Sequence, residues 1–219
     1  MKQVSKILKI TGKDFIKSYL SAVLVALLGG IALVFATIND FGSFKSSYLF
    51  ASVSLVIVVT LIFTFISVLT SIDKTYTMAS KFGFTRKEIS YSLLIKDIIL
   101  LIIISLITFG LSHIFVGQLG YMPNLDDYIL DFFVDGKPSF FAIFREVLMI
   151  INFAMIASIL AFMIGFPPGP IGIILYVIFT AIINNNITNN PIYIFIALII
   201  FAIAVIFRHI VIKKFDPKK

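Results

Sequence analysis

Long apolar stretches alternate along the chain with short polar ones rich in lysine. A helix crossing the roughly 30 Å hydrocarbon core of a bilayer needs about 20 apolar residues. The runs 19–37, 48–71, 98–116, 147–166 and 191–211 are all of that order. Between the last two lies 171–183, a thirteen-residue run that would make about 20 Å of helix at 1.5 Å per residue. By length alone it is either a re-entrant segment or a short span.

Charge decides between these. Lys2, Lys6, Lys9, Lys13 and Lys17 precede the first run; Lys74, Lys81, Arg86, Lys87 and Lys96 separate the second from the third; Arg208, Lys213, Lys214, Lys218 and Lys219 close the chain. The loops between these clusters hold Lys45 and Lys137, with Arg145 beside the run 147–166. Positive residues mark cytoplasmic loops. Placing all three clusters inside requires an even number of crossings between the second and the third, so 171–183 has to cross. The expected fold is an all-α polytopic membrane protein with six transmembrane helices, N-in and C-in. A cleaved signal peptide is the competing reading of the first run, and Val34-Phe35-Ala36 weakly resembles a cleavage site. That run is longer than the usual apolar region of a signal and starts late, at residue 19, so it is read as a span.

Composition agrees with the bilayer: 60% of residues are hydrophobic and 13% charged, against about 45–50% and about 25% in soluble domains. With no Cys there is no disulfide framework and no thiolate metal site, and His113 and His209 alone are poor material for a zinc centre. The net charge of +7 belongs to loops facing anionic lipid, so no nucleic-acid partner is expected.

Residues 1–18 read as an amphipathic elbow helix on the inner leaflet, bending into the first span. Their lysines recur at spacings of 4, 3, 4 and 4 and share one helical face, while Val4, Ile7, Leu8, Phe15 and Ile16 lie largely elsewhere. A disordered basic tail is the alternative. The remaining domains are the six-helix region 19–211, containing a cytoplasmic corner at 72–97, and a basic cytoplasmic tail at 212–219.

The corner is the most informative stretch. A helical pattern over 73–82 ends at Gly83, placed for a left-handed cap. Thr85-Arg86-Lys87-Glu88 then matches a capping box, flanked by Phe84 and Ile89 at the positions of a hydrophobic staple. Helix, glycine corner, helix is the expected result, either as a stable hairpin between two spans or as a docking element for a soluble partner. The second cytoplasmic turn, Gly165-Phe166-Pro167-Pro168-Gly169-Pro170, is expected not to be helical through its prolines.

On the outside, Asp127, Asp131 and Asp135 in the loop 117–139 fall at i, i+4 and i+8, one face of a possible surface helix. That face is either simply solvated or a surface for cationic cargo. The spans carry almost no charge: Arg145 and Glu146 are expected to snorkel or pair at the outer end of the fourth run, and His113 to lie at the interface. No P-loop pattern G-x-x-x-x-G-K-[ST], no H-E-x-x-H and no G-x-S-x-G occurs. No enzymatic chemistry is therefore visible, and ion-coupled transport, which keeps acids or His deep in the bilayer, has little support.

The elbow, six spans, a helical corner between the second and third and a shorter one between the fourth and fifth resemble ABC-2-type permease subunits of bacterial ABC transporters. Met78-Ala79-Ser80-Lys81-Phe82-Gly83-Phe84-Thr85-Arg86-Lys87-Glu88 is similar to the A-x-G-x-[ST]-R-K-x stretch of such permeases in Gram-positive bacteria. Lys81-Phe82-Gly83 stands where alanine–leucine–glycine is familiar. Small size and a Lys-, Ile- and Asn-rich composition resemble the staphylococcal exporters of peptides such as phenol-soluble modulins.

The resemblance implies a multi-pass protein of the bacterial cytoplasmic membrane. Its coupling corner, made of Lys81, Phe82, Gly83, Phe84, Thr85, Arg86, Lys87 and Glu88, would seat on separate ABC ATPase subunits. ATP and Mg would bind those subunits, leaving no cofactor in this chain. A second permease, the same or related, would complete a pathway for amphipathic peptide or lipid-like cargo. A stand-alone membrane protein that sequesters a toxic peptide without transport is the alternative from a different class.

Overall fold

The computed structural model describes residues 2–41, 44–119, 133–134, 137–165, 167–172, 174 and 192–214. Six helices account for most of them: α1 (Lys2–Phe41), α2 (Phe44–Leu69), α3 (Ser71–Lys81), α4 (Arg86–Leu119), α5 (Phe140–Ile164) and α6 (Ile192–Lys214). Among the described residues, four segments are long and apolar enough to cross a bilayer: Ala51–Leu69, Arg86–Ile114, Phe140–Ile164 and Ile194–Lys214. The chain is an α-helical, multi-pass membrane protein.

The amphipathic segment and the first apolar run form one uninterrupted helix, α1, with no break at residue 18. Lys6, Lys9, Lys13 and Lys17 are exposed while Ile7 is buried on the opposite face. The apolar part of α1 packs along α2. Phe15 and Tyr19 meet the ring of Phe63 at 5.0 and 5.6 Å, and the Tyr19 hydroxyl lies 3.0 Å from Thr60 Oγ1.

Further along, Ala26 and Gly30 are both buried, a small-xxx-small pair that lets two backbones approach in a bilayer, where apolar burial alone does not drive helices together. The contact is close. A Cβ at Gly30 would lie 2.2 Å from Ser52 Oγ and 3.0 Å from Ser52 Cα. Gly30→Val is therefore expected to push α1 off α2 and to destabilise by about 1–3 kcal/mol, the usual cost of overpacking. A thermal unfolding series in detergent measures it, with Gly12→Val as control because nothing lies within 4 Å of a Cβ there.

α5 is the central helix, and its buried residues occur all round it, from Ala142 to Ala161. Ser139 caps it, accepting from the Ala142 N–H, and Gly165 ends it in the left-handed region at φ 71°. α6 lies at the periphery. Among the described residues its buried positions are Ala197, Ala204, Arg208, Val211 and Ile212, whereas Phe195, Ile199, Ile203 and Ile206 are exposed.

One expectation needs correction. Pro168 and Pro170 do enter a helix, because residues 168–172 form a helical turn. They stand in its first turn, where the missing N–H has no partner to lose and the fixed φ suits the helix. That turn packs near the end of α2, since a Cβ on Gly172 would meet Phe65 at 2.9 Å and Leu69 at 3.1 Å. Most of 171–183 lies outside the described residues.

In the outer loop, Phe133–Val134 and Lys137–Pro138 pair as two short antiparallel strands, with Phe133 opposite Pro138 and Val134 opposite Lys137. Asp127, Asp131 and Asp135 themselves lie outside the described residues.

Candidate functional site

The corner at the end of α3 is built twice over from local hydrogen bonds. α2 hands over to α3 through Thr70. The Thr70 hydroxyl donates to the Ile66 carbonyl and the Ser71 hydroxyl to that of Val68, the side-chain competition that bends helices. α3 then ends at Gly83, whose φ of +71° is left-handed. The Phe84 N–H donates back to the Ala79 carbonyl at 3.1 Å, closing a Schellman motif.

Two residues later α4 begins with the capping box. Glu88 Oε2 accepts from the Thr85 N–H and the Thr85 hydroxyl, each at 2.9 Å, and the Glu88 N–H donates to Thr85 Oγ1 at 3.3 Å. Of the staple positions, Ile89 belongs to the main apolar core and the half-buried Phe84 packs against it.

At 29 residues, the apolar segment Arg86–Ile114 is about 43 Å long, some 13 Å more than the hydrocarbon core needs. Its polar first turn, with Arg86, Lys87 and Glu88, therefore stands outside the hydrocarbon, at the level of the headgroups. There the Thr85 N–H and hydroxyl hold the Glu88 carboxyl below its usual range. Because the folded value is depressed, the contribution of Glu88 to the corner is present above the unfolded carboxylate value near 4.3. It is lost as pH falls through the folded value. Amide exchange at Thr85 is expected to show an acid-induced loosening that Glu88→Gln lacks; the same acid response in both proteins would contradict it.

The eight expected docking residues are brought together, but they do not all face outward. Lys81, Phe82, Gly83, Thr85 and Lys87 are exposed, while Phe84, Arg86 and Glu88 are half-buried. Phe82 is 66% exposed at the tip. Beside it, Lys87 Nζ stands 6.0 Å from the Tyr91 ring centroid. The arrangement has no nucleophile–base pair and, among the described residues, no cluster of metal-ligating side chains. What it can do is mechanical: present a rigid, basic knob with one large apolar side chain.

Behind the knob lies a polar seam that the sequence reading missed. It joins α4 to α6 at three levels. Arg86 Nη1 donates to the Lys213 carbonyl at 2.9 Å, Ser90 Oγ lies 2.9 Å from His209 Nδ1, and Arg208 Nη1 donates to Asp97 Oδ2 at 2.5 Å. Lys96 adds a bond from its ammonium to the Ser67 carbonyl on α2 at 3.2 Å.

Asp97 and Arg208 are fully buried, their side chains 0% and 1% exposed. Asp97 Oδ1, Arg208 Nε and Arg208 Nη2 have no partner among the described residues. The spans are thus not apolar all round, and Arg208, grouped by sequence with the terminal basic cluster, is an interior residue. A faint signal existed: Ile206-Phe207-Arg208-His209-Ile210 keeps the apolar run going on both sides of the charge.

Elsewhere, Arg145 does pair with Glu146, at 3.1 Å from Nε and 2.9 Å from Nη2, although the guanidinium is buried rather than snorkelling. Asn152 Nδ2 donates to the Ala197 carbonyl at 2.9 Å and ties α5 to α6. His113 is exposed against Phe109, as an interface residue would be.

Compared with known protein families, curated proteins and solved structures, the chain matches none of them.

Proposed function

We propose that this chain is the membrane-spanning permease subunit of an ATP-driven ABC-2-type exporter in the bacterial cytoplasmic membrane. It crosses six times, with both ends in the cytoplasm. Separate ATPase subunits bind and hydrolyse ATP with Mg, and a second permease, the same or related, completes the pathway for an amphipathic peptide or other hydrophobic cargo.

The observation that carries the reading is the exposed Phe82 at the tip of a corner fixed by two caps. An aromatic side chain held out on a rigid polar turn is what a docking contact needs. Covering it contributes about 1.5–3 kcal/mol, and a turn that is already ordered has little conformational freedom left to lose on binding. The polar seam supports the same reading, since α4, which begins at the corner, is clamped to α6 by Arg208 and Asp97. Force applied at the knob reaches two membrane helices as one unit. The exposed apolar faces of α1 and α6 supply surface for lipid and for a second permease.

Transport is the direct consequence. Inside-out vesicles holding this chain and its ATPase are expected to take up a fluorescent amphipathic peptide with ATP and not without it. Protection of cells against such a peptide that persists after deletion of the ATPase would overturn the proposal in favour of sequestration without transport.

A further inference from the structure

Between the first turns of α1 and those of α4 runs a groove of about 680 Å³, within the size range of small-molecule sites. Val4 and Leu8 form one wall and Tyr91 and Ile95 the other, with Lys87 and Glu88 at one end. The Glu88 carboxylate is tied back to Thr85, which leaves the Lys87 ammonium as the charge available to a ligand. The surroundings are basic: Lys6, Lys9, Lys13 and Lys17 on α1, Lys81 on the corner and Lys213 and Lys214 on α6 are exposed, against Asp73.

Depth completes the description. The Lys87 end lies in the turn of α4 that stands outside the hydrocarbon. Ile95 lies eight residues further on, about 12 Å deeper along the helix. One end of the groove is therefore level with lipid headgroups and the other reaches the edge of the acyl-chain region. A ligand that fits must be anionic at the first and apolar at the second.

We infer that the groove binds one anionic phospholipid from the leaflet on the basic side, with its phosphate on Lys87 and an acyl chain between Leu8 and Ile95. The lipid bridges the amphipathic start of α1 to the first turns of α4. A cationic amphipathic peptide is disfavoured at the same place by the lysines around it. The inference goes beyond the transport proposal and its test needs no ATPase.

The chain contains no Trp, so a single Trp reports on one place. Tyr91→Trp is reconstituted into phosphatidylcholine vesicles carrying a small fraction of acyl-brominated phosphatidylglycerol or, separately, acyl-brominated phosphatidylcholine. Bromine quenches on contact. The phosphatidylglycerol is expected to quench about fivefold more effectively, which corresponds to about 1 kcal/mol for one lysine at an anionic headgroup.

Ile95→Trp, one turn deeper on the same wall, is expected to behave alike and covers the case in which Tyr91→Trp fails to fold. Ile102→Trp, on the lipid-exposed face of α4, sets the unselective ratio. Adding Lys87→Glu is expected to return the groove positions to that ratio. Groove positions that show the Ile102→Trp ratio from the start, or selectivity that survives Lys87→Glu, would overturn the inference.

Discussion

Asp97→Leu is expected to destabilise the protein by about 3–5 kcal/mol, because it strands the Arg208 guanidinium in the interior without its counter-charge. A guanidinium cannot shed its proton, and α6 offers Arg208 no route to water while its side chain is 1% exposed. Arg208→Met is expected to cost less, since a stranded carboxyl group can be neutralised by taking up a proton. The double variant Asp97→Leu with Arg208→Met removes both charges together, and most of the lost stability is expected to return. Paired removal of a buried ion pair is often neutral or better, and here one carboxylate oxygen and two guanidinium nitrogens have no partner among the described residues. Thermal unfolding of the four proteins in one detergent gives the cycle. Equal stability of the wild type and Asp97→Leu would show that the pair does not join α4 to α6.

The second large effect concerns the knob. Phe82 is 66% exposed, so Phe82→Ala is expected to leave the melting temperature within experimental error and to reduce affinity for the ATPase by roughly 10–100-fold, the equivalent of the burial free energy of one large apolar side chain. Gly83→Val tests the same contact through the backbone. No atom lies within 4 Å of a Cβ at Gly83, so the substitution clashes with nothing, yet its φ of +71° is one that a β-branched residue resists. Gly83→Val is expected to reshape the tip, weaken docking and leave membrane insertion intact. Gly83→Asn, which tolerates the left-handed region, is expected to retain most of the affinity. Normal co-purification of Gly83→Val with the ATPase would remove the corner from the docking site.

How far the sequence carried the structure depended on the range of the interactions involved. The corner was legible almost atom by atom, because a Schellman cap and a capping box use residues within five positions of one another, and Gly83, Thr85 and Glu88 occupy the places that those motifs require. The long helices were legible because a bilayer demands length and apolarity above all else. The same demand hid the seam. In a soluble helix, burial is written as a 3.6-residue alternation; in lipid both faces are apolar, so nothing in the pattern of α6 singles out Ala204 as an inward position, and only the apolar run continuing past Arg208 hints at that residue's burial. Asp97 and Arg208 stand 111 residues apart, and a single sequence holds no rule that pairs them.

The approach of α1 to α2 at Gly30 was hidden for a related reason, since a glycine in an apolar run is silent until its neighbour is known. Pro168 and Pro170 were misread by applying the rule for helix interiors to a first turn.

The most direct test of the transporter proposal is to draw the tagged chain from mild detergent, identify by mass spectrometry what accompanies it, and assay the sample for ATP hydrolysis. The account predicts a stoichiometric P-loop ATPase, hydrolysis by the complex, and loss of both from the Phe82→Ala sample. A chain that purifies alone at every expression level, with no hydrolysis, would contradict it and leave the corner a structural hairpin between α3 and α4.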